Sequence, residues 1–367
     1  MVPLFDLTRQ YQTLKAELEP VVLRQLESGG YVLGPVVEEF ERLCARELGV
    51  AHTVGVANGT DALQIALRAL GLERGDEVIT TPFSFYSAAE VVAELGATPV
   101  FVDIEPDSFN ICPRAVEAAL TPRTRALVPV HIFGSPANMD ALNALAQKHD
   151  LFVVEDCAQA WGATLDGRAC GALSGAGTFS FFPTKNLGAC GEGGLISTND
   201  AGVAEKCRQL RVHGQSRRYF YDEIGYNSRL HTLQAAILTV KLPHARDWNA
   251  ARRRHAAHYR ALLADTPYCL PVETPGARHV YHQYTLRVPR ELGRERVMAV
   301  LSERGLGHAI YYPHPLHLQP VFAELGYKPG SLPVSERACE EVLSLPIFPE
   351  LREDEVEQVA AGLKAAL

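Results

Sequence analysis

The sequence predicts an α/β domain built on a largely parallel β-sheet, followed by a smaller α+β domain. Between residues 53 and 198, short and almost wholly apolar segments alternate with helical segments, which is the pattern of parallel strands covered on both faces. After Pro243 the composition shifts to a long polar helix and then to a mixture of strands and helices. We therefore predict a large domain with an N-terminal arm over residues 1–247 and a small domain over residues 248–367.

The elements follow from local patterns along the chain. In the N-terminal arm, a helix over 17–26 ends at the Gly29-Gly30 pair, and a second helix covers 36–48. The predicted strands of the large domain are 53–57, 77–81, 99–103, 126–130, 151–155, 178–182 and 194–198. Helices over 61–70, 87–95, 113–120 and 138–149 connect the earlier strands. The small domain is predicted to contain helices over 245–263 and 294–304, strands over 281–288 and 308–312, and a final helix from residue 354.

Composition and charge argue against several classes of function. The net charge of −8 and the pI near 5.9 are unsuited to general nucleic-acid binding, because contacts to a phosphate backbone need a basic surface. The basic run Arg252 to His255 spreads around its helix, so we expect a solvated face there.

The chain has no apolar run that could span a bilayer and no N-terminal signal pattern, which predicts a cytoplasmic protein without membrane contact. The eight cysteines show no zinc spacing, so we expect reduced core thiols and no metal.

The most informative stretch of the sequence surrounds Lys185. An apolar strand ends at Pro183, and the glycines that follow permit close backbone approach, so the lysine is displayed at the edge of the sheet. A desolvated lysine amine forms Schiff bases with carbonyls, including the carbonyl of pyridoxal phosphate. Taken alone, a surface lysine in a loop is the more common interpretation.

Two other strand ends carry groups that suit the same cofactor. Gly59 and Thr60 open the helix after the first strand, where N–H groups and the helix dipole favour a phosphate, with a plain N-cap as the alternative. Glu155 and Asp156 end a buried strand, where one carboxylate could pair with a pyridine nitrogen or cap the next helix. Ligands of α/β sheets collect at the carboxyl ends of the strands. Together with Lys185, these groups predict a site for pyridoxal phosphate.

Motifs over nearly the whole chain resemble the DegT-type (DegT/DnrJ/StrS) sugar aminotransferases, which have the fold of aspartate aminotransferase. The motifs are Leu4-Phe-Asp-Leu-Thr-Arg-Gln-Tyr11, Gly30-Tyr-Val-Leu-Gly-Pro35, Asn58-Gly-Thr-Asp-Ala-Leu63, Glu155-Asp-Cys-Ala-Gln-Ala160, Ser180-Phe-Phe-Pro-Thr-Lys-Asn-Leu-Gly188, Gly225-Tyr-Asn-Ser-Arg-Leu230, Leu233-Gln-Ala-Ala236 and Tyr312-Pro-His-Pro-Leu-His-Leu-Gln-Pro320. The resemblance implies a three-layer, mostly parallel, seven-stranded sheet of the pyridoxal-phosphate-dependent transferase fold type I, with a smaller C-terminal α+β domain.

The resemblance also implies roles for the residues around the cofactor ring. Lys185 carries the cofactor as a Schiff base and moves the proton between the substrate α-carbon and the cofactor C4′. Asp156 pairs with the pyridine nitrogen, Gln159 lies near the 3-hydroxyl, and Phe85 stacks on the face of the ring.

The cofactor phosphate involves a second set of residues. By the same resemblance, Gly59, Thr60 and Ser180 hold the phosphate. Asn227 is expected to reach the phosphate of the cofactor in the neighbouring subunit, which implies a homodimer with shared active sites.

Substrate residues are inferred from the loops near the cleft. The resemblance makes Tyr312 and His317 part of a sugar pocket, with Arg229 as a candidate for the nucleotide pyrophosphate and His308 as a further candidate. His231 departs from the family pattern, which usually has an acidic residue at this position.

The predicted activity is amino transfer from an amino acid, L-glutamate, to a nucleotide-linked keto-sugar, in the biosynthesis of amino sugars for cell-surface polysaccharide or glycosylated metabolites. The form Phe-Phe-Pro-Thr-Lys-Asn-Leu-Gly is closer to members that aminate C3 of the sugar than to members that aminate C4.

The alternatives are a pyridoxal-phosphate-dependent sugar dehydratase and a non-catalytic regulator that binds the cofactor. Lys185 and the cysteine spacing argue against the dehydratase, and the lack of a DNA-binding region in this sequence argues against the regulator. An NAD-type loop is disfavoured because Gly191 to Gly194 precedes a strand instead of opening a helix.

Overall fold

A computed structural model describes all 367 residues, from Met1 to Leu367. Its α-helices are α1 Leu7–Ser28, α2 Pro35–Leu48, α3 Gly59–Ala69, α4 Ser87–Glu94, α5 Pro113–Ala119, α6 Met139–His149, α7 Ala201–Leu210, α8 Thr232–Lys241, α9 Ala245–Leu263, α10 Arg294–Glu303, α11 Pro333–Glu341 and α12 Glu353–Lys364. Its strands are β1 His52–Val56, β2 Glu77–Thr80, β3 Thr98–Phe101, β4 Thr124–Val128, β5 Phe152–Asp156, β6 Thr164–Leu165, β7 Arg168–Ala169, β8 Ala176–Ser180, β9 Gly194–Thr198, β10 Gln215–Arg217, β11 Phe220–Tyr221, β12 Ala277–Arg278, β13 Tyr284–Arg287 and β14 Val342–Leu345.

The central sheet has seven strands in the order β1-β9-β8-β5-β4-β2-β3. The strands β8, β5, β4, β2 and β3 run parallel, whereas β9 is antiparallel to both of its neighbours. Every predicted sheet strand has an observed counterpart whose ends differ by no more than two residues. The predicted α/β class and the mostly parallel sheet are therefore confirmed.

Helices cover both faces of this sheet, because the strands alternate their apolar side chains between two cores. Along β4, Leu127 packs into one core, whereas Ala126 and Val128 pack into the other. The first core is shared with α1, α2, α6 and α8, and the second with α3, α4 and α7. This two-residue period of buried strands produces the three-layer architecture.

The C-terminal part of the chain forms its own apolar core. Helices α9, α10 and α12 pack against the antiparallel pair β13 and β14, where Tyr284 and Leu286 face the core beside Leu343 and Leu345. Val2 also enters this core and pairs with Leu306. The boundary predicted between residues 247 and 248 falls three residues inside α9, and it stays a prediction.

Three local predictions need correction. The first helix begins at Leu7 instead of 17, because the Asp6 carboxylate accepts hydrogen bonds from the N–H groups of Thr8 and Arg9 at 2.9 and 3.2 Å. The predicted strand over 308–312 is absent, because only Ala309 finds a sheet partner, Ser344, before the chain turns toward the cleft.

Cysteine burial is also only partly as predicted. All eight thiols are free, but Cys190 and Cys269 are exposed. The sequence patterns also did not indicate the helices α7, α8 and α11 or the strands β6, β7, β10, β11, β12 and β14. No helix of the structure combines the length and the hydrophobicity that a membrane crossing requires.

Candidate active site

The sheet topology brings the predicted cofactor residues to one edge. Strands β1, β2, β5 and β8 share one direction, so their carboxyl ends lie on the same side of the sheet. Asp156 ends β5, and the segments that follow β1, β2 and β8 contain Gly59, Phe85 and Lys185. The fold therefore gathers residues that are up to 126 positions apart in the sequence.

The phosphate site lies at the N-terminus of α3. The Asn58 side chain caps the helix by accepting a hydrogen bond from Asp61 N at 2.8 Å. Gly59 and Thr60 form the first turn, whose N–H groups have no partner within the helix. A Cβ atom added to Gly59 would lie 2.8 Å from Ser180 Cβ, so β8 ends directly against this turn. The predicted phosphate residues are thus brought together in a cradle that suits an anion.

Asp156 ends β5 as a buried carboxylate, 5% exposed. Its Oδ1 accepts a hydrogen bond from Ala158 N at 3.0 Å, and no cationic side chain of the protein lies within 4 Å of it. Burial raises the pKa of Asp156, while the Ala158 N–H group and the charge of Lys185 act in the opposite direction. A buried carboxylate with spare acceptor capacity suits the protonated ring nitrogen of the predicted cofactor.

The structure decides which of the two adjacent carboxylates is available. Glu155 accepts hydrogen bonds from the N–H groups of Gly171 and Leu173, both at 2.8 Å, and its Oε2 lies 3.0 Å from His131 Nε2. His131 Nδ1 accepts a hydrogen bond from Ala137 N at 3.0 Å, so the proton of the neutral ring is on Nε2 and is donated to Glu155. Glu155 is therefore a structural acid.

His131 also belongs to a group of potential metal ligands with Glu155 and Cys157, whose ligand atoms lie within 4.8 Å of one another. The hydrogen bonds described above already occupy both ring nitrogens and both carboxylate oxygens. We therefore assign this group to the support of β5. Sequence patterns did not indicate His131, because its partners come together only in the folded sheet.

Gln159 connects the cofactor site to the loop of the C-terminal part. Its Oε1 accepts a hydrogen bond from Phe133 N at 2.5 Å, and its Nε2 donates to the Tyr312 hydroxyl at 3.0 Å. Burial raises the pKa of Tyr312. The structure thus places the predicted sugar-pocket tyrosine directly beside a predicted cofactor residue.

Lys185 lies in the turn between β8 and β9. Its backbone N donates to Phe182 O at 2.9 Å, but its Nζ makes no hydrogen bond or ion pair within the protein. Desolvation lowers the pKa of Lys185 to about 8, and the negative charge of Asp156 opposes this decrease. The turn is held by Asn186, whose Nδ2 donates to Asn249 Oδ1 at 2.7 Å and to Val280 O at 3.1 Å. A fixed turn with a free, easily deprotonated amine suits a covalent anchor.

Two further predicted residues lie in exposed positions. Phe85 follows β2 and is 58% exposed, as expected of a ring that would cover a ligand. Asn227 is also exposed, and its Oδ1 accepts a hydrogen bond from Arg229 Nη2. His231 is exposed at the start of α8 and does not cap the helix through its side chain.

The histidines predicted for the substrate site are not joined to the lysine by direct contacts. His308 Nδ1 lies 3.0 Å from Leu306 O. His317 is 1% exposed, and its Nε2 lies 3.1 Å from Glu336 Oε1, so the ring supports its own loop. Their roles and that of Arg229 in substrate binding stay predictions.

The comparisons with known proteins agree with this geometry. The sequence profile of the DegT/DnrJ/EryC1/StrS aminotransferase family matches residues 12–364. A Geobacillus stearothermophilus protein named "Pleiotropic regulatory protein" is 50% identical over 98% of this chain and 96% of its own length. An Acidithiobacillus ferrooxidans protein named "UDP-N-acetyl-3-dehydro-alpha-D-glucosamine 3-aminotranferase" is 44% identical over 100% of this chain and 98% of its own length.

Solved structures share the whole fold. The crystal structure of S. venezuelae DesV in complex with a ketimine intermediate is 44% identical, with a TM-score of 0.97 over 100% of this chain and 98% of that chain. The structure of Bacillus subtilis NtdA with bound cofactor PMP is 32% identical, with a TM-score of 0.88 over 95% of this chain and 81% of that chain. The predicted fold type I is confirmed, and the chain belongs to the DegT/DnrJ/EryC1/StrS aminotransferase family, as its motifs predicted.

Proposed function

We propose that this protein transfers the amino group of L-glutamate to the C3 ketone of a nucleotide-linked sugar during the biosynthesis of amino sugars. The observation that carries the proposal is the free amine of Lys185 at the same sheet edge as the buried Asp156. The cofactor is pyridoxal phosphate, in agreement with the aminotransferase family and with the relative whose structure contains PMP.

When bound, pyridoxal phosphate supplies an aldehyde that accepts the amino group and a ring that withdraws electrons from the reacting carbon. Asp156 would keep the ring nitrogen protonated by charge pairing. The first turn of α3 and Ser180 would hold the phosphate. Lys185 Nζ would remove the proton from the donor α-carbon, because a pKa of about 8 leaves part of the amine unprotonated near neutral pH. The same amine would return a proton at the sugar carbon in the second half-reaction.

Two features support C3 as the position of amination. The Acidithiobacillus relative carries a 3-aminotransferase name and matches the whole chain. The lysine motif of this chain has Phe182 after Phe181, where members that aminate C4 usually have histidine.

The active form that we propose is a homodimer with shared active sites. On α1, Leu23 is 58% exposed and Leu26 is 48% exposed. A groove of about 410 Å³ between α1 and α8 is lined almost wholly by apolar side chains, and Cys190, in the turn that follows Lys185, is one of its lining residues. Exposed apolar surface of this extent marks an association surface. Its continuity with the lysine turn supports a partner that reaches the active site.

A second apolar surface supports the predicted reach of Asn227 into the neighbouring subunit. It consists of the exposed side chains Tyr219, Phe220, Tyr221 and Ile224, which lie three to eight residues before Asn227 in the chain. Such a segment would bury its apolar side chains against a partner and carry Asn227 with it.

We place the protein in the cytoplasm, where reducing conditions keep its eight thiols free.

A regulator that binds the cofactor without turnover is the second candidate. The name of the Geobacillus relative favours it. The aminotransferase family and the 3-aminotransferase name of the Acidithiobacillus relative favour catalysis.

The visible absorption spectrum of the purified protein tests the function. We expect a band from lysine-bound cofactor that excess L-glutamate bleaches, and no such band in Lys185→Ala. Amino transfer to UDP-N-acetyl-3-dehydroglucosamine would then complete the cycle. A band that no amino acid changes would favour the regulator, and a wild-type protein that never forms the band would contradict the assignment of Lys185.

A further inference from the structure

The basic run Arg252 to His255 in the middle of α9 is not the solvated face that its sequence predicts. Arg252 is only 6% exposed, whereas Arg254 is exposed. Helical spacing spreads these arginines around the cylinder, but it turns Arg252 into the protein. A buried guanidinium needs hydrogen-bond partners and a compensating charge.

Only one of the three guanidinium nitrogens of Arg252 has partners. Its Nη1 donates to Ile347 O at 2.7 Å and to the carbonyl oxygens of Tyr281 and His282, each at 3.3 Å. Its Nε is buried without a partner, and its Nη2 makes no hydrogen bond within the protein. The Nε–Nη2 edge of the guanidinium therefore makes no hydrogen bond within the protein.

Arg252 also lacks a partner of opposite charge. No carboxylate oxygen lies within 4 Å of its guanidinium. Arg211 and Arg294 likewise have a buried Nε without a hydrogen bond, but each has an acid nearby, Glu41 at 2.5 Å and Glu295 at 3.6 Å. Desolvation lowers the pKa of Arg252 to about 10, and the charge of Glu350 offsets only part of this effect. The positive charge of Arg252 is thus poorly compensated within the chain.

Arg252 lines a cavity that adjoins the lysine turn. The cavity also contacts Thr184, His282, Gln283 and Tyr311, and none of its lining residues is acidic. Its volume of about 50 Å³ exceeds the roughly 10–15 Å³ that a single water molecule requires, so a group of a few heavy atoms fits. The cavity therefore offers polar groups and a positive charge to a small anionic group.

The cavity lies next to the turn that carries the reacting amine. Thr184, in the cavity wall, directly precedes Lys185. His282, in the same wall, contacts Asn186 through its Nδ1 at 3.1 Å, and Asn186 directly follows Lys185. Both Lys185 and Arg252 help to lower the pKa of His282, after desolvation. Lys185 itself does not line the cavity, but an anionic group held there would lie against the turn that carries its amine.

We propose that the Nε–Nη2 edge of Arg252, which has no partner within the protein, binds the α-carboxylate of the amino donor. Two parallel N–H groups match the two oxygens of a carboxylate, which is the strongest geometry for this pair. Every α-amino acid has its carboxylate on the carbon that loses the proton, so Lys185 and Arg252 would act on adjacent groups of one substrate. This inference rests on the proposed aminotransferase function and adds a subsite for the donor.

The test compares Arg252→Gln and Arg252→Lys with the matched control Arg254→Gln, which removes an exposed arginine of the same helix. For Arg252→Gln we expect kcat/KM in the half-reaction with L-glutamate to fall about 10- to 150-fold, which is the worth of a charge-assisted pair. Arg252→Lys should keep part of the activity, since lysine retains the positive charge but lacks the two parallel N–H groups of the guanidinium. Arg254→Gln should behave as wild type.

Two measurements separate binding from folding. Calorimetric titration of the cofactor-free proteins with 2-oxoglutarate should show the same order of affinities, without any turnover. The half-reaction of the pyridoxamine-phosphate-loaded enzymes with UDP-N-acetyl-3-dehydroglucosamine should change little, because this sugar has no α-carboxylate.

The outcomes distinguish the inference from the proposed function. Unchanged glutamate kinetics and 2-oxoglutarate affinity in Arg252→Gln would overturn the inference. The inference would also be overturned if Arg252→Gln and Arg252→Lys lost activity equally in the glutamate and sugar half-reactions and were less thermally stable. Arg252 would then have a structural role only. If wild type reacts with the sugar but not with L-glutamate, the donor in the proposed function is wrong, and L-aspartate and L-glutamine then serve as the α-carboxylate donors for the same variants.

Discussion

At the scale of single residues, Lys185 and Asp156 influence each other's protonation across the cofactor site. The Lys185 pKa of about 8 leaves about half of the amine neutral at pH 8 and about one tenth at pH 7. We therefore expect the rate at which cofactor-free protein captures pyridoxal phosphate to rise with pH around a midpoint near 8. Removing the charge in Asp156→Asn removes the effect that raises the lysine pKa, so the midpoint should move to lower pH.

The growth of the visible band after mixing, followed from about pH 6.5 to pH 10, measures this midpoint. Glu155→Gln is an unsuitable control because Glu155 supports the strand, whereas Asp200→Asn changes an exposed carboxylate that only caps α7. A midpoint near the ordinary lysine pKa in wild type, or an upward movement in Asp156→Asn, would contradict the electrostatic account of the site.

At the scale of elements, the contact between α3 and β8 shapes the phosphate cradle. In Gly59→Ala, the new Cβ would lie 2.8 Å from Ser180 Cβ, so the helix start must move away from the strand end. Overpacking of this kind costs about 1–3 kcal/mol, and we expect it to appear mainly as cofactor affinity weakened by about 5- to 150-fold. Equilibrium titration of the cofactor-free variant with pyridoxal phosphate measures this change.

Gly175→Ala is the matched control for this substitution, because its Cβ would lie at an ordinary contact distance of 3.5 Å from Val153 O. Its cofactor affinity and thermal stability should remain near those of wild type. If Gly59→Ala binds the cofactor as tightly as this control, the close approach of α3 and β8 has no part in phosphate binding.

At the scale of the whole molecule, the proposed dimer predicts complementation between two defective variants. Lys185→Ala lacks the reacting amine, and Asn227→Ala lacks the group expected to reach the neighbouring cofactor. After both proteins are mixed and allowed to exchange subunits, one site of each mixed dimer contains an intact lysine and an intact asparagine. We expect amino-transfer activity to reappear in the mixture but not in either variant alone.

Light scattering during size-exclusion chromatography measures the molecular mass and establishes whether the protein is a dimer. The substitution Leu23→Glu, on the exposed apolar face of α1, should lower the measured mass toward that of the monomer. A mixture as inactive as its components, despite confirmed subunit exchange, would mean that each active site is built from one chain.

Much of the site was predictable because its residues stand next to local signals. Gly59 begins a helix, Asp156 ends a buried strand, and Lys185 lies in a glycine-rich turn, so each could be placed from its neighbours alone. The choice between Glu155 and Asp156 could not be made in this way. It depends on His131 and on the backbone of residues 171–173, which reach Glu155 only through the order of the sheet strands.

The sequence by itself determined the fold class and the seven strands, because strand periodicity and glycine turns are local properties. The tertiary structure decided which charged groups lose their contact with water. Arg252 lies in a basic run typical of an exposed helix face, and nothing near it in the sequence indicates burial. Desolvation depends on distant segments, here residues 281–283 and 347 packing over α9, and it turns a surface-like arginine into a candidate for substrate binding.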